Sequence, residues 1–113
     1  MSTHLPITTH VLDLGSGKPA AGVAIALEHE QDTWRALAQG ITDPDGRLKF
    51  RLDLPVASGT YRLTFATADY FTTRGKTCFY PQVRIEFSVD AAADHYHVPL
   101  LLNQWGYSTY RGS

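Results

Sequence analysis

The 113-residue sequence has little sulfur: one cysteine, Cys78. A single thiol cannot form an internal disulfide, so no disulfide framework braces the fold, and the chain suits a reducing compartment. Charge of one sign is also scarce. Ten Lys plus Arg are offset by eleven Asp plus Glu, a net charge of −1. That balance leaves no electrostatic footprint for nucleic acid, and no basic run offers a membrane-surface patch. Long hydrophobic runs are missing. The longest apolar stretch, residues 98–102, is far too short to span a bilayer. Residues 1–7 have neither the basic nor the apolar region of a signal peptide. The last four residues are neither a peroxisomal signal nor a lipidation box. These absences predict a cytoplasmic protein with no nucleic-acid or membrane partner. Repeats, linkers and low-complexity segments are absent too, and the length predicts one domain, 1–113.

Several catalytic motifs are absent as well. No G-x-S-x-G elbow occurs, which excludes a common type of serine hydrolase. Gly15-Ser-Gly-Lys18 matches part of a phosphate loop, but the full spacing is lacking and Pro19 stands where Ser or Thr is needed. Cys78, between Thr77 and Phe79, reads as a small core hydrophobe and not a nucleophile.

What remains is a globular composition, 43% hydrophobic and 19% charged, arranged with period two. Residues 6–13 are rich in β-branched side chains. Residues 47–52 alternate Leu48, Phe50 and Leu52 with Arg47, Lys49 and Arg51. Val83, Ile85, Phe87 and Val89 alternate with Arg84, Glu86 and Ser88. Further strands are predicted at 23–29, 33–39, 60–66, 95–102 and 107–110. Turns fall at 15–20, at Thr42-Asp-Pro-Asp-Gly46, where Pro44 presets φ and Gly46 permits φ above zero, and at Ser58-Gly59. Residues 67–73 break the pattern and predict a short helix, capped by Thr67 and ended by Gly75. Strands of this length with turns about every ten residues predict a β-sandwich. The 95–102 segment is apolar on both faces near its end, which predicts that its second face packs on another subunit.

Five histidines are present. His4 and His29 read as structural or solvated. Strand parity puts Thr8, His10 and Leu12 on one face of the first strand, with Thr9, Val11 and Asp13 opposite. By the same rule His95 and His97 share a face. Two histidines at i and i+2 can chelate a metal or share a proton, and His10, His95 and His97 together would suffice for a zinc site with an open position. No cysteine pair or helical His-x-x-x-His supports that reading.

The terminal stretch from His95-Tyr-His-Val-Pro-Leu-Leu-Leu102 to Tyr110-Arg-Gly-Ser113 resembles the signature of the 5-hydroxyisourate hydrolases, a transthyretin-like family of urate degradation. Thr8-Thr-His-Val-Leu-Asp13, Gly17-Lys-Pro-Ala20, Thr42-Asp-Pro-Asp-Gly-Arg47 and Phe79-Tyr-Pro81 match the family in the same order. Asn103-Gln104 departs from the Ser-Pro often found there. The resemblance implies an all-β, transthyretin-like sandwich of two four-stranded sheets with one short helix. It implies a homotetramer with active sites in a channel at the dimer–dimer interface, a purine-derived small-molecule substrate and no cofactor. It assigns catalytic or substrate-binding roles to His10, Arg47, His97, Tyr110 and Ser113. The expected reaction is hydrolytic ring opening. One of His10 and His97 would act as base, and the other would hold water or protonate the leaving nitrogen. The planar donors of Arg47 suit a ring carbonyl or an anionic ring. The alternatives are a non-catalytic binding module on the same fold, as in the hormone carrier transthyretin, and the zinc site above.

Overall fold

The computed structural model describes residues 3–113. Among them the elements run in the order β1 (His4–Asp13), β2 (Lys18–Pro19), β3 (Ala24–Glu30), β4 (Trp34–Ile41), β5 (Arg47–Asp53), β6 (Gly59–Phe65), α1 (Thr67–Thr72), β7 (Val83–Val89), β8 (Tyr96–His97), β9 (Leu100–Leu102) and β10 (Tyr107–Thr109). They form an all-β sandwich of two sheets with one short helix. One sheet is β4-β3-β6-β7, antiparallel throughout. The other collects β1, β2, β5, β8, β9 and β10.

That second sheet holds six strands where four were expected, but it has four tracks. β1 is flanked on one side by β5 and then β2, both antiparallel. On its other side it pairs in parallel with β8 and then β9, and β10 lies outside β9. The strand expected over 95–102 is divided into β8 and β9 by Pro99, which has no N–H to place in a ladder. Threonine hydroxyls serve the carbonyls there: Thr9 Oγ1 donates to Val98 O at 2.7 Å and Thr109 Oγ1 to Pro99 O at 2.7 Å. The two-residue β2 lies in the 15–20 segment read as a loop.

Parity decides which side chains meet between the sheets. In β1, Leu5, Ile7, Thr9, Val11 and Asp13 are buried, and the alternate residues face outward. Ile25 and Leu27, Tyr61, Leu63 and Phe65, and Val83, Ile85 and Val89 face them from the other sheet. Leu100 and Leu102 complete the core. Burial of such side chains contributes about 1.5–3 kcal/mol each and dominates the stability of the sandwich. His29 is buried and stacks on Tyr61, with ring centroids 4.2 Å apart. His4 pairs with Asp53 at 3.1 Å. Cys78 is half-buried against the core and free of any disulfide.

The helix differs from expectation at its start. Ala66 occupies the N-cap without a side-chain bond, and the Thr67 hydroxyl donates to Tyr80 O at 3.2 Å instead. A buried threonine reaching a distant carbonyl ties the helix to the segment after it, so the cap role is given up. The end is as expected. Gly75, at φ +71°, lets Lys76 N bond Phe71 O at 3.0 Å and its own N–H bond Thr72 O at 3.0 Å, a Schellman arrangement. Among the described residues no helix is long and apolar enough to cross a membrane.

Candidate active site

The outward face of the β1 sheet carries the chemistry. Register sets two rows across β5, β1 and β8. Lys49 pairs with Thr8, and Thr8 with His97; beside them, Arg47 pairs with His10. A cavity of about 520 Å³ opens on this face, lined in part by Thr8, Arg47, Lys49, His97 and Ser113, with Ile41 and Asp43 also on its wall. That volume suits a small ligand. A hollow of about 570 Å³ on the other sheet is lined by Gln39, Gln82 and small or apolar residues, with no titratable group. Of these two, the first is the one lined by groups that can do acid–base work.

Each functional side chain has a local reason for its position. Arg47 opens β5 directly after a turn that Asp43 clamps. The Asp43 carboxylate accepts from Asp45 N and Arg47 N, each at 2.9 Å. Gly46, at φ +74°, presses against β1: Val11 N donates to Gly46 O at 2.8 Å, and a Cβ on Gly46 would lie 2.5 Å from Val11 O. This close approach, open only to glycine, seats Arg47 opposite His10.

His97 sits at the end of β8, half-buried. Its Nδ1 lies 2.7 Å from Thr8 Oγ1. Burial pushes its pKa below the usual histidine value, and the Arg47 guanidinium pushes it the same way. A bond from the Thr8 backbone carbonyl opposes them, and His10 and His95 add small downward pushes. A neutral imidazole in a cavity with a fixed cation is equipped to accept a proton.

The chain's end folds back over this histidine. Gly112 N donates to His97 O at 2.8 Å. A Cβ on Gly112 would collide with His97 Cδ2 and lie 3.3 Å from Pro99 Cγ, so glycine alone fits against the ring. Ser113 thereby reaches the cavity wall.

The structure thus brings Arg47, His97 and Ser113 to one cavity. His10 lies beside them, as the cross-strand partner of Arg47 and close enough for its charge to act on His97. Tyr110 goes elsewhere. Its ring is exposed and lines a second cavity of about 240 Å³ with Ile85, Phe87 and Tyr96, which His97 also borders. His95 is exposed and lines neither cavity. His10, His95 and His97 do not gather as a zinc site: among the described residues no group of three or more His, Cys, Asp or Glu is placed to hold a metal ion. Thr8, Asp43 and Lys49 were missed in the sequence as site residues. Parity with His10 and Arg47 was the available signal for Thr8 and Lys49.

Comparison with known proteins gives a consistent picture. Residues 7–112 match the HIUase/Transthyretin family. A 5-hydroxyisourate hydrolase of Salmonella dublin is 46% identical over 109 residues, covering 95% of this chain and 80% of that protein. The structure of Klebsiella pneumoniae 5-hydroxyisourate hydrolase superposes with a TM-score of 0.82 at 34% identity, covering 96% of this chain and 94% of that one. Sea bream transthyretin in complex with thyroxine superposes with a TM-score of 0.86 at 29% identity, covering 94% and 93%.

Proposed function

Because the chain belongs to the HIUase/Transthyretin family, we propose that it is a 5-hydroxyisourate hydrolase, opening the ring to 2-oxo-4-hydroxy-4-carboxy-5-ureidoimidazoline. The observation that carries this reading is the cavity that His97, half-buried and pushed toward its neutral form, shares with Arg47. A carrier protein needs neither a neutral base nor a fixed cation beside it. The reaction adds one water. As water oxygen bonds to the ring carbonyl carbon, its proton passes to His97. The carbonyl becomes an oxyanion, which Arg47 stabilises; removing such a donor typically costs about 10²–10³-fold in kcat. The intermediate then collapses, the ring C–N bond breaks, and the leaving nitrogen takes a proton. His10, the cross-strand partner of Arg47, supplies that proton and is reprotonated from His97, or it holds the water and the proton passes to the nitrogen from His97 itself. Ser113 closes the wall of the cavity and hydrogen-bonds the substrate. No step requires a cofactor.

The same proposal includes a homotetramer with its sites between dimers. The cavity opens on an outward sheet face, and Ile41 on its wall is 62% exposed. Trp105, Tyr107 and Tyr110 are exposed nearby in the chain. Association would cover this apolar surface and bring Tyr110 against the heterocycle. The single cysteine agrees with a reducing, cytoplasmic setting.

The test is the decay of freshly generated 5-hydroxyisourate, followed by absorbance. Decay should accelerate in proportion to protein, and sedimentation should give four copies. Unchanged decay together with tight thyroxine binding would replace the enzyme by a carrier.

A further inference from the structure

We propose that Thr8 is a positioning residue that holds His97 in the tautomer with its hydrogen on Nδ1, so that the Nε2 lone pair is the one offered to the substrate cavity. This rests on the reading of His97 as the base and deepens it by naming the atom that acts.

Thr8 faces outward from β1 and lies directly opposite His97 of β8. Its Oγ1 is 2.7 Å from Nδ1 and 3.4 Å from Tyr96 O. A hydroxyl has one hydrogen and two lone pairs. The Tyr96 carbonyl only accepts and lies within the hydroxyl's donor reach; with the hydrogen turned there, a lone pair of Oγ1 is left for Nδ1–H. The Thr8 backbone carbonyl, which too only accepts, pushes the imidazole toward its protonated form. Both Thr8 groups therefore favour a hydrogen on the ring. Neither supplies anything to a bare Nδ1 once the hydroxyl is committed to Tyr96.

The ring is held on other sides as well. Gly112 lies against Cδ2 and bonds the His97 carbonyl, and Pro99 follows two residues on. The imidazole therefore cannot rotate to exchange its nitrogens without displacing the tail. A base must present a lone pair to the water it deprotonates, and which nitrogen carries it is set by the bond on the other. Thr8 lines the same cavity as His97 but is not needed to touch the reacting atoms.

Three variants test this. Thr8→Val keeps the β-branched shape and removes the hydroxyl; Thr8→Ser keeps the hydroxyl; His97→Ala removes the base. Imidazole nitrogen NMR of the wild-type protein should show His97 neutral with Nδ1 protonated, and Thr8→Val should give a mixture of tautomers. In the 5-hydroxyisourate assay Thr8→Val should lower kcat on the order of 10-fold with KM little changed, and Thr8→Ser should restore most of the loss. A wild-type spectrum with the hydrogen on Nε2 overturns the inference. So does a Thr8→Val enzyme with parental kcat while His97→Ala is inactive. If His97→Ala itself remains fully active, the reading of His97 as the base fails first, and the NMR result still decides the tautomer on its own.

Discussion

Gly112 offers a way to separate activity from stability. Replacing it by Ala adds one methyl group where the structure has no room. That methyl would collide with Cδ2 of His97 and lie 3.3 Å from Cγ of Pro99. Neither neighbour can yield. The His97 ring is tied to Thr8 at 2.7 Å, and Pro99 is buried. The tail must lift instead. What it loses is the 2.8 Å bond from Gly112 N to His97 O, worth about 0.5–1.5 kcal/mol. Little else is lost, because Tyr110, Arg111 and Ser113 are already exposed. A cost of about 1 kcal/mol corresponds to roughly 4 °C in Tm for a domain of this size. Activity should suffer far more. Lifting the tail withdraws Ser113 and frees the imidazole, and a misplacement of about 1 Å costs on the order of 10²-fold in rate. The assay pairs thermal unfolding by circular dichroism with kcat/KM on freshly generated 5-hydroxyisourate. A variant within about threefold of the parent in kcat/KM would refute the role given to the tail. A Tm loss beyond about 10 °C would show that Gly112 is part of the folding core, contrary to its peripheral contacts.

Three further predictions concern His97, the charge beside it and the turn that holds that charge. Arg47→Gln removes a cation that pushes the His97 pKa down. The acid limb of kcat/KM should therefore move to higher pH, with kcat lower by about 10²–10³-fold; a limb that moves to lower pH would contradict the assignment. The same lowered pKa makes stability fall with acid. His97 is disfavoured as a cation in the folded state, so its contribution is present above about pH 6.5 and is lost as pH falls through its lowered value. His97→Gln should flatten that part of the profile in urea titrations between about pH 5 and 7, and an unchanged slope would count against it. Gly46→Ala forces φ +74° on an L-residue and sets a methyl 2.5 Å from Val11 O. It should cost about 1–3 kcal/mol in urea denaturation and weaken substrate binding by misplacing Arg47; a variant of parental stability would mean that the turn does not hold Arg47 in place.

The parts of the molecule that were legible in the sequence are those governed by neighbours along the chain. Alternation in β7 identified its buried face, and strand parity put His10 with Thr8 on one face of β1, the face that the structure turns outward. Gly75 was legible as a helix end because αL geometry leaves few alternatives. The rest depended on partners far away in sequence. Thr67 is a good capping residue by type, yet its hydroxyl is drawn to Tyr80 O, thirteen residues on. Pro99 divides a strand that its apolar neighbours made look continuous. In the site, Arg47 and His97 were named through a family resemblance, whereas Thr8, Asp43 and Lys49 were overlooked. Parity placed Thr8 and Lys49 on the faces of His10 and Arg47, but their roles arise from cross-strand register, and that of Asp43 from a turn closed by its carboxylate. Tyr110 was grouped with the histidines through the same resemblance. The tail's crossing over His97 sends its ring to a separate cavity.

The central claim is that a neutral His97, beside Arg47, takes a proton from water during ring opening. The most direct measurement is the absorbance decay of freshly generated 5-hydroxyisourate with equal amounts of wild-type and His97→Ala protein, each confirmed as folded by circular dichroism. The account predicts acceleration by the wild type and a decay with His97→Ala slower by about 10²–10⁴-fold, close to that of buffer alone. Equal acceleration by both proteins would contradict it.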